Sequence, residues 1–217
     1  MYKNLLILLI SSFILHSCNQ VHLSSDMRYG YYMNYFGKTL TSHFPTEYDS
    51  NDGYTYKVDT SAIISNIEEF NITFHKADEQ IQSVKLKYKK NKKYSVTDSC
   101  IIVVNDFLNK DNEFSFTKDN VMSNRELLDY RSKYSKNCNG EYAVIPNFYD
   151  NPYADGSTRS KLSKDFKYII VDSKTGFYSD KIDRTYSFMP EPVRHGYSKG
   201  IAYNEKDKIV IYWLVLW

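Results

Sequence analysis

The stretch Lys208-Ile-Val-Ile-Tyr-Trp-Leu-Val-Leu-Trp217 decides the architecture. Ile209 to Trp217 is apolar or aromatic at every position, so neither set of alternate side chains is left for solvent. Such a run reads as a strand covered on both faces, which is the situation of a central strand. Just upstream, Gly200-Ile-Ala-Tyr203 is a second β-prone run, and Asn204-Glu-Lys-Asp207 supplies the turn between them. The spacing predicts a terminal hairpin. Trp217, Val215, Trp213 and Ile211 at alternate positions also match the last strand of an outer-membrane barrel. Those strands keep their lumen face polar, whereas here Tyr212, Leu214 and Leu216 fill it,. The buried strand of an ordinary sheet is the better reading, and it makes Trp213 a core residue.

Working outward, Lys167-Tyr-Ile-Ile-Val-Asp172 predicts a strand, turned by Ser173-Lys-Thr-Gly176 into Phe177-Tyr178,. Cys100–Phe107 is apolar on both faces and predicts another central strand. Phe70, Ile72 and Phe74 alternate with polar residues, a third strand. Val84, Leu86 and Tyr88 alternate with Lys85, Lys87 and Lys89, and Lys90 to Lys93 then turns the chain into Tyr94-Ser-Val96, which reads as a hairpin,. Helical spacing lies nearer the front. Met27, Tyr31, Tyr35 and Thr39 fall four apart with Tyr32 and Phe36 alongside, and Ser24, Ser25 or Asp26 can cap the helix,. It is expected to run to about Ser42 and to stop before Pro45,. Shorter helices are expected at Thr60–Glu69 and Ser123–Tyr134, and 46–60 and 150–156 read as turns,. The expected class is α+β: a mainly antiparallel sheet with a few helices, the C-terminal hairpin contributing a buried strand.

The chain has 217 residues, enough for one core without metal or dense disulfides,. Lys plus Arg is 28 and Asp plus Glu is 26, so no strong field argues for a nucleic-acid partner,. The first residues carry an address. Lys3 precedes an apolar run from Leu5 to Leu15, which would rise about 16 Å as a helix and is too short to span a bilayer,. It fits the core of a secretory signal peptide. Leu15-His16-Ser17-Cys18 follows and resembles a bacterial lipobox, with His at a position more often Ala, Ser or Thr. The resemblance implies cleavage before Cys18 and its acylation, with palmitate among the chains. The alternative is an ordinary signal peptide with an incidental Cys18. The expected organisation is a removed signal peptide at 1–17, a lipidated tether at 18–26 and one globular domain at 27–217. The expected location is an exported lipoprotein anchored in a membrane, the outer one, facing the periplasm or the surface.

Two cysteines remain, Cys100 and Cys138. Export permits a disulfide between them, and two unpaired thiols fit the sequence equally well. Catalytic signatures do not hold together. Ser115-Phe-Thr-Lys118 and Lys174-Thr-Gly176 match fragments of a penicillin-binding motif, but the first alternates like a strand and the second sits in a turn,. Cys100 with His195 would be a Cys–His pair, yet Cys100 heads an apolar strand rather than a helix,. His75, Asp78 and Glu79 offer at most two metal ligands,. No catalytic residue, metal or cofactor is therefore expected. Lys85, Lys87, Lys89, Lys90, Lys92 and Lys93 form the one charge cluster, read as a solvated sheet edge rather than a contact with anionic lipid,. Tyr29 to Phe36 is the densest aromatic stretch. It suits either a sugar-stacking surface or a helix packed on a sheet, and the second is preferred.

Phe188-Met-Pro-Glu-Pro-Val-Arg-His-Gly-Tyr-Ser-Lys-Gly200 reads as the candidate ligand-binding loop. Pro190 and Pro192 stiffen it, Gly196 and Gly200 permit turns, and Arg194, His195, Tyr197 and Lys199 gather there,. These offer a guanidinium, an imidazole, a phenol and an ammonium to an anionic or hydrogen-bonding partner. The alternative is that they tie the loop to the core. Met189 to Tyr203 followed by Lys208 to Trp217, with Ser42-His-Phe-Pro45 and Asp98-Ser-Cys100, resembles a group of uncharacterised lipoproteins of Bacteroidota-type bacteria. The resemblance implies an envelope setting and no activity. The function expected is a non-catalytic, lipid-anchored protein binding a protein or envelope ligand, by analogy an immunity-like role. A glycan-binding lipoprotein and a hydrolase are the alternatives; the first requires exposed coplanar rings and the second requires His195 beside a carboxylate.

Overall fold

The computed structural model describes residues 20–22, 26–49, 53–62, 66–98, 100–104, 142–185, 187, 189 and 191–217. Cys18, Cys138, the signal segment, the helix expected at Ser123–Tyr134 and the Ser115–Lys118 motif lie outside them. The strands are β1 (Gln20–His22), β2 (Glu47–Asp49), β3 (Tyr54–Asp59), β4 (Glu68–Phe74), β5 (Lys93–Ser95), β6 (Ile101–Val103), β7 (Ala143–Ile145), β8 (Lys167–Thr175), β9 (Gly196–Asn204) and β10 (Ile209–Leu216). The helices are α1 (Met27–Phe36), α2 (Lys38–Thr41) and α3 (Asp78–Lys87).

The terminal hairpin forms as its sequence dictates, with Ile209 opposite Asn204 and Leu216 opposite Tyr197. It sits in the middle of a six-stranded antiparallel sheet ordered β3-β4-β10-β9-β8-β5. β10 is buried throughout, so its two apolar faces serve two cores. On one side Val210, Tyr212, Leu214 and Leu216 join Phe70, Ile72 and Phe74 under α1 and α3. On the other, Ile211, Trp213, Val215 and Trp217 pack against Phe148, Phe166 and the small parallel pair β6–β7. The protein is an α+β, three-layer structure, and the doubly apolar strand is what permits the third layer.

Two glycines fix that packing. A methyl group on Gly200 would overlap Trp213 Cζ2 and the Ile169 carbonyl oxygen, and one on Gly196 would overlap the Lys174 carbonyl and touch Trp217. Trp213 pairs directly with Gly200, and the Trp217 and Gly196 backbones exchange two hydrogen bonds of 3.0 Å. Each indole lies across the strand where β9 has no side chain, a Gly–aromatic device known to hold register. These glycines therefore lie inside a strand and do not make the turns expected of them.

Other expectations are corrected. Val84–Lys89 is not a strand: α3 covers Asp78–Lys87, with Asp78 and Glu79 in its first turn and Lys85 and Lys87 in its last, matching the helix dipole,. Ile81 and Val84 are buried three apart, while Leu86, which gave the segment its false period of two, is 72% exposed. Of the lysine run, Lys93 does open β5, an edge strand. The helix expected to reach Ser42 breaks at Gly37, whose φ of 79° ends α1 before α2 begins,. Asp26 caps α1 through its carboxylate on the Arg28 and Tyr29 amides. The buried face is Tyr29 and Phe36, and the stripe containing Met27 and Tyr31 faces outward. Tyr54–Asp59 is a strand where turns were expected, and Glu68 and Glu69 begin β4 rather than end a helix. Within 18–26, read as a tether, β1 pairs with β2. β8 runs on to Thr175 instead of turning at Ser173.

His43 ties the segment after α2 to the central strand. It is buried, and its Nε2 donates to the Trp213 carbonyl oxygen at 2.8 Å. Burial, with Lys199 and Lys87 nearby, lowers the imidazole from 6.5 to about 3. The fold holds a neutral ring, while the unfolded chain binds a proton below its ordinary value. This contribution is complete above pH 6.5 and lost as pH falls toward about 3; the shift corresponds to about 4 to 5 kcal/mol. His43→Gln, which keeps a donor and does not titrate, is expected to flatten the acid side of the stability profile in urea unfolding across that range. An unchanged slope would assign the titration elsewhere.

Gly200→Ala is expected to cost about 3 kcal/mol through overpacking, and Trp213→Ala about 3 to 5 kcal/mol as a large-to-small core change. Because the ring is part of what the methyl group meets, beside the Ile169 carbonyl oxygen, the double variant should lose somewhat less than the sum of the two. Additive losses in denaturant titrations would mean the contact is not the source.

Candidate functional site

The expected binding loop is in large part strand. Gly196–Asn204 is β9, buried along its whole length, and its Tyr197 and Lys199 alternate onto the helix-bearing face. Tyr197 donates its hydroxyl to Asp172 Oδ2 at 2.5 Å. The Asp172 carboxylate reaches that face because the β8–β9 register slips between Ile170 and Asp172, a bulge that re-aims the side chain,. Burial first, then that hydrogen bond to Asp172, pushes the Tyr197 phenol up. Lys199 Nζ donates to the Thr39 carbonyl at 2.6 Å, at the C-terminal end of α2. Desolvation lowers its ammonium from the usual lysine range. His195 is buried, with Nε2 donating to the Arg184 carbonyl at 3.2 Å. Arg194 donates to the Thr185 carbonyl at 3.1 Å. The four residues are thus neighbours in sequence that face inward or bind their own chain. The His195 ring is thus engaged by the Arg184 carbonyl and by Phe177.

What they hold up is more informative. Beyond Gly176, Phe177 is 48% exposed and Tyr178 is 41% exposed. The His195 ring lies 4.6 Å from Phe177, and the Tyr197 ring meets Tyr178 edge-on at 4.6 Å. Exposed Arg184 places its guanidinium carbon 4.9 Å from the centre of the Phe177 ring. Two outward aromatics are therefore fixed from beneath by His195, which precedes β9, and by Tyr197 of β9, and the arginine lies over the first of them. The outer members were not singled out in the sequence. Phe177-Tyr178 reads as a strand start, and only the fold leaves both rings half in solvent.

A second polar cluster lies on the opposite face of the sheet. Glu69 is 1% exposed, and its carboxylate meets Lys57 Nζ at 2.5 Å. The same ammonium lies 3.0 Å from Asp150 and 4.4 Å from the centre of the Tyr149 ring. Asn151 Nδ2 donates to Thr73 Oγ1 at 2.9 Å. Burial raises the Glu69 carboxyl despite Lys57. Burial also works against the Lys57 charge, but the Glu69 and Asp150 carboxylates outweigh it and hold the ammonium above its usual range. Facing each other, the two groups each favour the other's charged form. The cluster clamps the 147–151 segment onto β3 and β4. Sequence missed it because Glu69, Asn71 and Thr73 alternate with apolar residues and so imitate a solvated strand face.

Cys100 is disulfide-bonded. That state takes it out of any Cys–His nucleophile. His75 shares a hydrogen bond with the Tyr153 hydroxyl. Among the described residues no group of three His, Cys, Asp or Glu side chains could hold a metal ion, and no helix is long and apolar enough to cross a membrane. Compared with known protein families, curated proteins and solved structures, the chain finds no match.

Lys57→Met leaves Glu69 as an uncompensated buried charge and is expected to cost about 3 to 5 kcal/mol near neutral pH. Glu69→Gln should cost less, since Lys57 keeps Asp150 and partial access to water. In the fold the Glu69 carboxyl lies above its ordinary value, so acid neutralises it early. The Lys57→Met deficit should therefore shrink as pH approaches about 4. Equal deficits in the two variants, or one independent of pH in urea titrations, would remove Glu69 from this role.

Proposed function

We propose that the protein is a lipid-anchored envelope lipoprotein without catalytic function, which binds a protein partner through Phe177, Tyr178 and Arg184. Acylation of Cys18 after removal of 1–17 supplies the anchor. Leu5–Leu15 and the lipobox-like Leu15-His16-Ser17-Cys18 support that part. The observation that carries the binding part is the pair of half-exposed rings held in place by His195 and Tyr197. Preordered aromatic and arginine side chains are the groups that dominate protein interfaces, because little entropy is lost when they are covered. In this reading the 194–199 segment serves recognition from below, as the rigid support of the patch.

A sugar ligand is the weaker alternative. Stacking on a sugar needs open, coplanar rings; the near-parallel pair is Tyr31 and Tyr35, at 28° and 6.4 Å, and there the Lys181 ammonium lies 4.6 Å from the centre of the Tyr35 ring. Phe177 is engaged by Arg184 and His195, and Tyr149 by the Lys57 ammonium. The outer-membrane location and the immunity-like role belong to the same proposal. They rest on the signal segment and on the resemblance to Bacteroidota-type lipoproteins.

Two measurements on one set of strains test it. A palmitate analogue should label the wild type and not Cys18→Ala; equal labelling removes the anchor. Wild type and the triple variant Phe177→Ser, Tyr178→Ser, Arg184→Ser then serve as paired baits for envelope extracts. Because Phe177 and Tyr178 are half-buried, the variant is expected to melt a few degrees lower, and both baits are used well below their melting temperatures. A protein retained by the wild type and lost from the variant is the expected result. Identical captures would move the binding surface elsewhere.

A further inference from the structure

The first turns of the domain carry a surface that the core does not use. Met27 is 88% exposed and Tyr31 is 61% exposed, one turn apart on α1. Tyr35 continues the stripe, its ring near-parallel to Tyr31 at 6.4 Å and its hydroxyl held by Glu68 and Lys181. Arg28 and Lys38 are exposed in the same segment, Arg28 with its guanidinium carbon 5.7 Å from the centre of the Tyr56 ring and Lys38 at the start of α2. From Met27 to Thr41 there is no Asp or Glu. The nearest carboxylate in sequence, Asp26, is turned inward: Oδ1 accepts the Arg28 and Tyr29 amides and Oδ2 accepts the Tyr54 hydroxyl at 2.6 Å. Those hydrogen bonds, led by the one from Tyr54, also hold its carboxyl below the usual range. The exposed part of α1 is therefore apolar, phenolic and cationic, with the buried Glu68 carboxylate behind Tyr35.

Its place in the chain says what covers it. β1 begins at Gln20, and its three residues are paired with Glu47–Asp49. Only Asn19 separates Cys18 from that strand, a reach of about 7 Å,. Met27 follows His22 by five residues, at most about 18 Å of chain,. An acylated Cys18 would thus hold the body of the domain, and not a free tether, at the headgroups. Tyrosine and methionine with flanking cations suit that zone, because phenol rings favour the membrane–water boundary and Arg and Lys meet lipid phosphates. The contact need not be strong. A short tether raises its effective concentration to the millimolar range, so an affinity too weak to hold free protein is still largely satisfied.

We infer that the Met27–Tyr31–Tyr35 face of α1, with Arg28 and Lys38, is a membrane seat that rests on the bilayer holding the Cys18 acyl chains. The inference rests on the acylation proposed above and goes beyond it, since a lipoprotein can equally stand clear of its membrane.

Footprinting of the full-length processed protein decides it. The protein is reconstituted in vesicles of phosphatidylethanolamine with a minority of phosphatidylglycerol, and incorporation of a palmitate analogue at Cys18 is read on the same sample. Hydroxyl radicals then report on Met27 and Tyr31. The anchored state is read on the protein with its natural one-residue spacer, and the comparison is a variant with a protease site inserted between Asn19 and Gln20, cut to free its domain from vesicles of the same composition. In the anchored state Met27 and Tyr31 are expected to oxidise several-fold more slowly than after release, while Tyr149 and Tyr178 oxidise at the same rate in both. Labelled Cys18 with equal rates at Met27 and Tyr31 overturns the seat and leaves the anchor standing. Absence of label on Cys18 overturns the anchor and the seat together.

Discussion

The indole of Trp213 lying across Gly200 is the contact on which the architecture depends. β10 is apolar on both faces and must be covered twice, and the six-stranded sheet can pack a third layer only where its middle is flat enough to receive one. A glycine opposite each tryptophan gives the rings room against the backbone of β9. Phe148 and Tyr168 then close on Trp213, at centroid distances of 6.0 and 6.3 Å. The same arrangement repeats at Gly196 and Trp217, whose indole donates to the Val193 carbonyl at 2.7 Å. Register, core and the entry of the chain into β9 thus follow from two cross-strand pairs.

Polar groups inside this frame join layers rather than perform chemistry. Ser198 donates to the Val144 carbonyl at 2.6 Å and so links β9 to β7. Lys199 reaches the end of α2 from the opposite face of the same strand. Lys57, Glu69 and Asp150 fasten the 147–151 segment to the sheet edge. Each ion is partnered at the point where it leaves water. That is the condition under which charges can be buried at tolerable cost. Among the described residues, four of the exposed large hydrophobics fall in two places, Phe177–Tyr178 and the Met27–Tyr31 stripe of α1. One follows β8 and rests on β9; the other follows the short first strand. The proposed partner site and membrane seat therefore draw on different elements and can be disturbed separately.

The sequence alone determined the terminal hairpin, the burial of Trp213, strands β4 and β8 and the α+β class. In each of these the hydrophobic pattern has a single geometric solution: a run apolar on both faces must be central, and a strict alternation ending in a turn must pair. A cap among Ser24, Ser25 and Asp26 was legible for the same reason, since its chemistry is local, and the fold uses Asp26. Tertiary structure decided the rest. Val84–Lys89 alternates like a strand but is helical, because Ile81 and Val84 had a core to fill and Leu86 did not. Glu69 looked solvated until the 147–151 segment covered it. Arg194, His195, Tyr197 and Lys199 read either as a displayed cluster or as ties to the core, and the fold makes them ties. In the fold Tyr197 and Lys199 pass through the sheet facing the helices, and which groups meet Arg194 and His195 depends on 172–185, far away in sequence. Patterns that depend only on neighbours along the chain survive folding unchanged. Whether a polar residue meets water, a carbonyl or an opposite charge is fixed by which distant segment arrives to cover it.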